Sequence, residues 1–156
     1  MYAIRVDTHS RLLRVELSGR IRTEETLRAI SQSAVLAEAS GLVAIFCDIT
    51  RVERGPGSFQ LVAAGLSGSH RPGMRIALYC TPAQQPIATR IARFSGLRQA
   101  ITVFDDADSA FSWLAAVAGA RLERSLRAEA ERLFGRSLVI EPSRGAVSHE
   151  TAPPAA

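Results

Sequence analysis

Leu42-Val43-Ala44-Ile45-Phe46-Cys47-Asp48 is a run of six apolar residues closed by an acid. A strand with one wet face alternates apolar and polar residues, because successive side chains point to opposite sides. A strand apolar at every position needs cover on both faces, and parallel sheets flanked by helices supply it. This run therefore predicts an interior strand of an α/β fold, and its neighbours should alternate with helices.

They do. Upstream, residues 2–6 and 12–18 read as strands, the second alternating from Leu13 onward. The polar linker Asp7-Thr8-His9-Ser10-Arg11 is of hairpin length, so these two strands should pair antiparallel. Gly19 ends the second strand. Thr23 is placed to cap a helix whose first turn carries Glu24 and Glu25, with Leu27, Ile30, Ala34 and Ala37 at helical spacing as its buried face. Gly41 stops that helix.

Downstream, Ile49 to Gly57 reads as a loop, and a second helix is predicted from near Ser58 to about Leu66. Residues 67–73 are turn-forming and residues 75–80 make the next strand. Thr81-Pro82 predicts the start of a third helix, with Ile87, Ile91 and Phe94 on its core face and Gly96 at its end. Ile101 to Phe104 is a last short strand. Asp105, Asp106 and Asp108 crowd the start of a fourth helix, whose core face is Ala110, Trp113, Leu114 and Val117. A fifth helix is predicted over 120–134, with Leu122, Leu126, Ala130 and Leu133 on one face, and Ser137 to Glu141 as a short edge strand. The expected division is an α/β domain over 1–118, a C-terminal amphipathic helix with a short extension over 119–143, and a disordered tail over 144–156. The apolar stripe of the last helix must pack on something, either the parent domain or its copy in a homodimer, and the second is favoured because the core looks complete by about Val117.

Composition narrows the class. The chain has 156 residues, a one-domain size, and is 47% hydrophobic, enough for a real core. No apolar run reaches the roughly 20 residues of a membrane span, and the N-terminus lacks the segments of a signal peptide, which predicts a cytoplasmic protein. All 19 basic residues are arginine, so every positive site can pair bidentately with carboxylate or phosphate. Cys47 and Cys80 end apolar strands and read as reduced, buried thiols.

Leu13-Arg14-Val15-Glu16-Leu17-Ser18-Gly19-Arg20-Ile21, then Ile45-Phe46-Cys47-Asp48-Ile49, then Val103-Phe104-Asp105-Asp106 with Ala110 and Trp113-Leu114 resemble, in that order, the STAS domain. That is the fold of bacterial anti-sigma-factor antagonists and of the cytoplasmic tails of sulfate transporters, with stand-alone relatives grouped with SEC14-type proteins. The resemblance covers about residues 2–118. It implies a mixed, mostly parallel sheet of about five strands with about five helices, and a non-enzymatic protein-interaction or regulatory role. In the signalling branch, a serine in an Asp-Ser-Ser-Gly-type motif after the third strand is phosphorylated by a partner kinase. Ser58 stands close to the matching position, ten residues after Asp48, but its surroundings, Gly55-Pro56-Gly57-Ser58-Phe59, depart from that motif.

The candidate site is therefore Ser58 with Asp48, Arg51 and Arg54. Ser58 reads either as a helix cap or as a phosphorylation or anion-binding position at a helix N-terminus, with the two arginines in reach. His9, His70 and His149 lie in separate segments with no Glu or Cys spaced to complete a metal site, and the aspartates at 105, 106 and 108 lack the spacing of a calcium loop. No phosphate-binding loop, dinucleotide fingerprint or hydrolase elbow is present, and no cofactor is expected.

Arg90, Arg93 and Arg98 form a basic edge. On the last helix Arg121, Arg124, Arg127 and Arg132 mix with Glu123, Glu129 and Glu131, as on a solvated face. Without interleaved aromatics these segments do not read as a nucleic-acid surface. The leading reading is a STAS-like interaction module whose partner surface is the loop after Asp48 and the helix from near Ser58. The rival is a SEC14-like carrier of a small apolar ligand or lipid. A carrier needs a pocket of roughly 300–1,000 Å3, and little apolar material is left for one once the sheet is covered. For an enzyme, no nucleophile–base pair can be named.

Overall fold

The structure, a computed structural model, describes residues 1–7 and 10–119. The chain divides into a unit Met1–Leu122 and a unit Glu123–Ala156, and the fold below is that of the first. The helix predicted over 120–134, the strand over 137–141, the tail and the proposed dimer helix lie outside the described residues, as do His9 and His149.

The elements run β1 (Tyr2–Asp7), β2 (Leu12–Arg20), α1 (Thr23–Ala39), β3 (Ala44–Arg54), α2 (Phe59–Ser69), β4 (Arg75–Tyr79), α3 (Gln85–Phe94) and β5 (Ile101–Phe104), followed by a helix α4 over 107–119. The sheet order is β1-β2-β3-β4-β5. β1 pairs antiparallel with β2, and every other pairing is parallel. Right-handed crossovers between sequential parallel neighbours place α1, α2 and α3 on one face.

The uninterrupted apolar run of β3 is explained by cover on both sides. On one face Leu13, Val15, Ile45, Ile76, Leu78 and Ile101 pack with Ala37 of α1 and Ala92 of α3. On the other, Leu12, Ala44, Phe46 and Ala77 pack beneath Ala110 and Leu114 of α4. The Phe46 ring stacks on Phe111 at 4.3 Å between centroids. Asp106 caps α4: its Oδ2 accepts the backbone N–H of Ser109 at 2.8 Å. The Ser109 hydrogen bonds hold the Asp106 carboxyl below its ordinary pKa.

Two expected helix faces are displaced by one residue. In α1 the expected Ala37 is buried, but its companions are Thr26, Ala29 and Ser33, while Leu27, Ile30 and Ala34 are only half-buried. In α3 they are Ala88 and Ala92, while Ile87 and Phe94 are each 59% exposed. The cause is shared. The strands already fill the interlayer space with branched aliphatics, so the helices approach through small residues and direct the large ones sideways. Leu27 turns toward α2, where Gly65 makes room: a Cβ at that glycine would lie 2.5 Å from Leu27 Cδ2.

Boundaries also move. β3 continues to Arg54 instead of ending at Cys47, so the predicted loop shrinks to about Gly55–Gly57. The extra length pairs Ser18, Gly19 and Arg20 of β2 with Arg51, Val52 and Arg54, across register shifts that bend the ladder. α3 starts at Gln85, after a turn that contains Thr81-Pro82. α1 is entered through Arg22, whose N–H donates to Glu25 Oε2 at 3.0 Å, so Thr23 is not its cap. The end of α1 is as predicted. Gly41, at φ +63, donates to Glu38 O at 3.1 Å and Leu42 N to Ala37 O at 2.8 Å, the paired bonds of a Schellman closure. No helix among the described residues is long and apolar enough to cross a membrane.

Candidate functional site

The β3–α2 connection carries the predicted site residues. Ser58 is the N-cap of α2: its Oγ accepts the Leu61 N–H at 3.3 Å. Its own N–H donates to Thr23 Oγ1 at 3.2 Å. The capping expectation for Ser58 thus holds, and the hydroxyl of Thr23 serves the second helix start in place of the first.

Asp48 is half-buried on β3. Its Oδ1 accepts both the N–H of Thr50 at 2.8 Å and the Thr50 hydroxyl at 2.7 Å. Cys47 belongs to the face under α1–α3, and strand alternation turns Asp48 to the other side. Arg51 and Arg54 are exposed strand residues, in register with Ser18 and Arg20. No hydrogen bond or ion pair joins these four residues to one another. Asp48 uses an acceptor on Thr50, Ser58 uses its hydroxyl on Leu61, and the two guanidinium groups have no protein partner among the described residues.

Gln84, a residue with no signature in the sequence, locks the bent end of β3. Its Nε2 donates to Ile49 O at 2.9 Å and Val52 O at 3.0 Å, and its Oε1 accepts the Thr81 N–H at 2.9 Å. The side chain satisfies backbone groups that the irregular ladder leaves over. Only the three-dimensional course of β3 creates that need, so no local pattern announces it.

Above this bend lies a cavity of about 220 Å3 between the helices and the C-terminal ends of the parallel strands. Leu17, Ile30, Val52, Leu66, Leu78 and Ile91 line it, with Cys47 in its wall. Its few polar neighbours are mostly engaged: the Thr26 hydroxyl donates to Arg22 O at 3.1 Å, and Gln84 is bonded as above. A smaller apolar void of about 60 Å3 adjoins it beneath α1. Little apolar material is expected to remain for a pocket of carrier size, and at about 220 Å3 this cavity stays below the roughly 300–1,000 Å3 of such sites. The one-residue rotation of α1 and α3 leaves aliphatic side chains lining a space in place of filling the sheet interface.

The cysteines differ. Cys80 is closed in the core at 1% exposure, and burial is the main cause that raises its pKa. Cys47 is partly accessible and contributes to the cavity wall. Its thiol is pushed up to about 12, by loss of hydration first and by the charge of Asp48 second. A thiolate is not stable in either place. His70 lies at the end of α2, its Nε2 3.3 Å from Met74 O. Among the described residues no three His, Cys, Asp or Glu side chains gather as metal ligands would.

The exposed large apolar side chains of this region are Leu61, Ile87 and Phe94, at 55%, 59% and 59%. Phe94 meets Phe59 at 5.7 Å between ring centroids, and the Arg90 guanidinium lies 5.5 Å from the Phe59 ring centre.

No family model matches the chain, and no curated protein sequence does. Solved structures do match. An anti-sigma factor antagonist from Mycobacterium paratuberculosis is 21% identical, with a TM-score of 0.50 over 73% of this chain and 94% of its own. A protein with a SpoIIAA-like fold from Shewanella loihica is 20% identical, with a TM-score of 0.52 over 72% of this chain and 93% of its own. Together with the ββαβαβαβα order and the single antiparallel edge, these likenesses show that the chain has the SpoIIAA-like fold.

Proposed function

We propose that this chain is a non-enzymatic regulatory module that acts by binding another protein. Its binding surface is the β3–α2 connection together with α2 and the neighbouring edge of α3. The observation that carries the reading is the exposed apolar and aromatic surface of Leu61, Ile87 and Phe94 on the helices beside Ser58. Exposed large apolar side chains on neighbouring helices are candidates for contact with a partner. The likeness in fold to an anti-sigma factor antagonist supports a protein as the partner.

Ser58 is half-buried at the start of α2, with its hydroxyl turned to a helix N-terminus. Phosphate added there would meet free N–H dipoles, and Arg51 and Arg54, exposed on the strand that precedes the connection, are the cations proposed to pair with it. The test is affinity capture from the native host with the full chain and with Ser58→Asp, followed by mass spectrometry and titration of the captured protein. A partner retained by the first and bound at least tenfold more weakly by the second supports the reading. A specific partner with equal affinity for both removes Ser58 from the surface.

The cavity favours a second reading, a carrier of a small apolar ligand. At about 220 Å3 the cavity falls short of the roughly 300–1,000 Å3 of drug-sized sites. Any ligand it holds as built is therefore compact. Extraction of the purified protein with organic solvent, followed by mass spectrometry of the extract, tests this.

A further inference from the structure

Between Glu53 and Asp105 the chain has 51 residues without a single acid and with six arginines. The stretch contains α2, β4, α3 and β5. α2, Phe59–Ser69, carries no charged side chain at all, and the charges of α3 are Arg90 and Arg93. Of the six arginines, Arg71 is neutralised by Glu38 at 2.9 Å, whereas Arg90 and Arg93 have no carboxylate partner among the described residues. An open groove of about 500 Å3 runs between the start of α2 and α3, lined by Phe59, Pro86, Thr89, Arg90, Arg93 and Phe94.

We propose that this groove is the docking site for an acidic, amphipathic segment of a partner protein. Phe59 and Phe94 receive an apolar side chain, and Arg90 and Arg93 pair with carboxylates beside it. The proposal rests on the reading of this end of the domain as a protein-binding surface and gives the partner its chemistry. Charge complementarity commits the occupant: the groove offers two cations and no anion, so an acidic segment is the one that leaves no like charges opposed. Arg90 is already packed against the Phe59 ring, which restricts its rotamers and leaves its fork of donors for a bidentate carboxylate. The concave shape favours an inserted side chain over a flat bilayer. The Phe59 and Phe94 rings are tilted by 48° with their centroids 5.7 Å apart, so a nucleobase cannot insert as a parallel stack between them.

The test uses the full-length protein and a fluorescein-labelled 15-residue peptide with Leu and Phe on one helical face and Glu on the other. A second peptide has every Glu replaced by Gln, and vesicles of phosphatidylglycerol and phosphatidylcholine serve as the membrane probe. The expected result, by anisotropy at low salt, is binding of the Glu peptide at least tenfold tighter than of the Gln peptide. The double variant Arg90→Glu/Arg93→Glu should lose at least tenfold, Phe94→Ala several-fold, and Arg28→Glu, an exposed change on α1, less than twofold. All of these positions are exposed, and circular dichroism checks that the fold survives.

Equal affinity for the two peptides, or an equal loss with Arg28→Glu, overturns the proposal. So does vesicle binding that depends on Arg90 and Arg93 in the absence of peptide binding. A captured host partner sensitive to Ser58→Asp but not to Arg90→Glu/Arg93→Glu overturns the groove assignment and leaves the wider function standing. A partner indifferent to both overturns the two together.

Discussion

The backbone N–H of Ser58 donates to the hydroxyl of Thr23 at 3.2 Å across 35 residues of chain. The two residues stand at the starts of adjacent helices, α1 and α2, so one hydrogen bond ties together the ends from which both helices enter the layer. Ser58 in turn caps α2 through Leu61. The candidate switch serine is therefore fixed from two sides, its amide by α1 and its hydroxyl by α2. Any change in Ser58 chemistry acts on the α1–α2 junction as well as on the proposed binding surface.

Thr23→Val keeps the shape and removes the acceptor, leaving the Ser58 amide without its partner. A lost neutral hydrogen bond in a half-buried setting costs about 1 kcal/mol. Urea denaturation should show a loss of that order with an unchanged m value. Thr23→Ser should restore most of it, and amide exchange at Ser58 should accelerate in the valine variant. A valine variant as stable as the parent would mean that the bond carries no weight.

Ser58→Ala removes the cap of α2 and should cost about 1 kcal/mol. Ser58→Asp should cost less than half of that, because aspartate accepts the same N–H and its charge suits a helix N-terminus. Stability and binding then separate. If the serine regulates, the aspartate variant is as stable as the parent and binds its partner differently. Thermal melts beside partner titrations read the two effects independently.

Gly41 closes α1 at φ +63, a conformation that costs a side-chain-bearing residue about 1 kcal/mol or more. Gly41→Ala should lower stability by that amount, and Gly41→Asn by less, since asparagine tolerates the left-handed region better. Chemical denaturation of the three proteins checks the order. Equal values for Ala and Gly would indicate that the helix end relaxes to another closure.

Much of this fold was legible because its signals are local. The apolar run at residues 42–47 demanded two covered faces, and Ala110 and Leu114 of α4 supply the second. The Gly41 stop, the Ser58 cap and the capping aspartate at 106 each depend on neighbours within a few residues. Helix rotation was not legible, because it is decided between elements. Periodicity marked Ile87, Ile91 and Phe94 as a face, but which face meets the sheet depends on the volume the strands have already filled. There Ala88 and Ala92 fit and the larger residues do not. The same long-range origin hides Gln84, whose two carbonyl partners lie 35 and 32 residues away. It also hides the extension of β3 through Arg54, which depends on pairing with β2. Ser58 was legible along the chain as a helix cap, whereas the groove and the cavity became visible only in three dimensions.

Two cysteines that look alike in sequence should behave differently. Cys80 is sealed in the core, while Cys47 has a path to solvent through the cavity it helps to line. A small uncharged thiol reagent such as methyl methanethiosulfonate should modify Cys47 before Cys80, and a bulky anionic disulfide should modify neither in the native state. The rate at Cys47 should be low at pH 7 and should keep rising to high pH, because the reactive thiolate forms only toward a pKa of about 12 in place of the ordinary 9.0. The same shift sets the sign of a stability effect. The folded state holds the proton more tightly than the unfolded state, so the contribution of Cys47 is fully present below pH 9.0 and is lost as pH rises from there toward about 12. Cys47→Ala should flatten that part of the stability profile without changing it below neutral pH. Labelling followed by peptide mass mapping, with denaturation repeated between pH 7 and 11, tests both halves. Simultaneous labelling of the two cysteines would show that the cavity is not the route by which reagents enter.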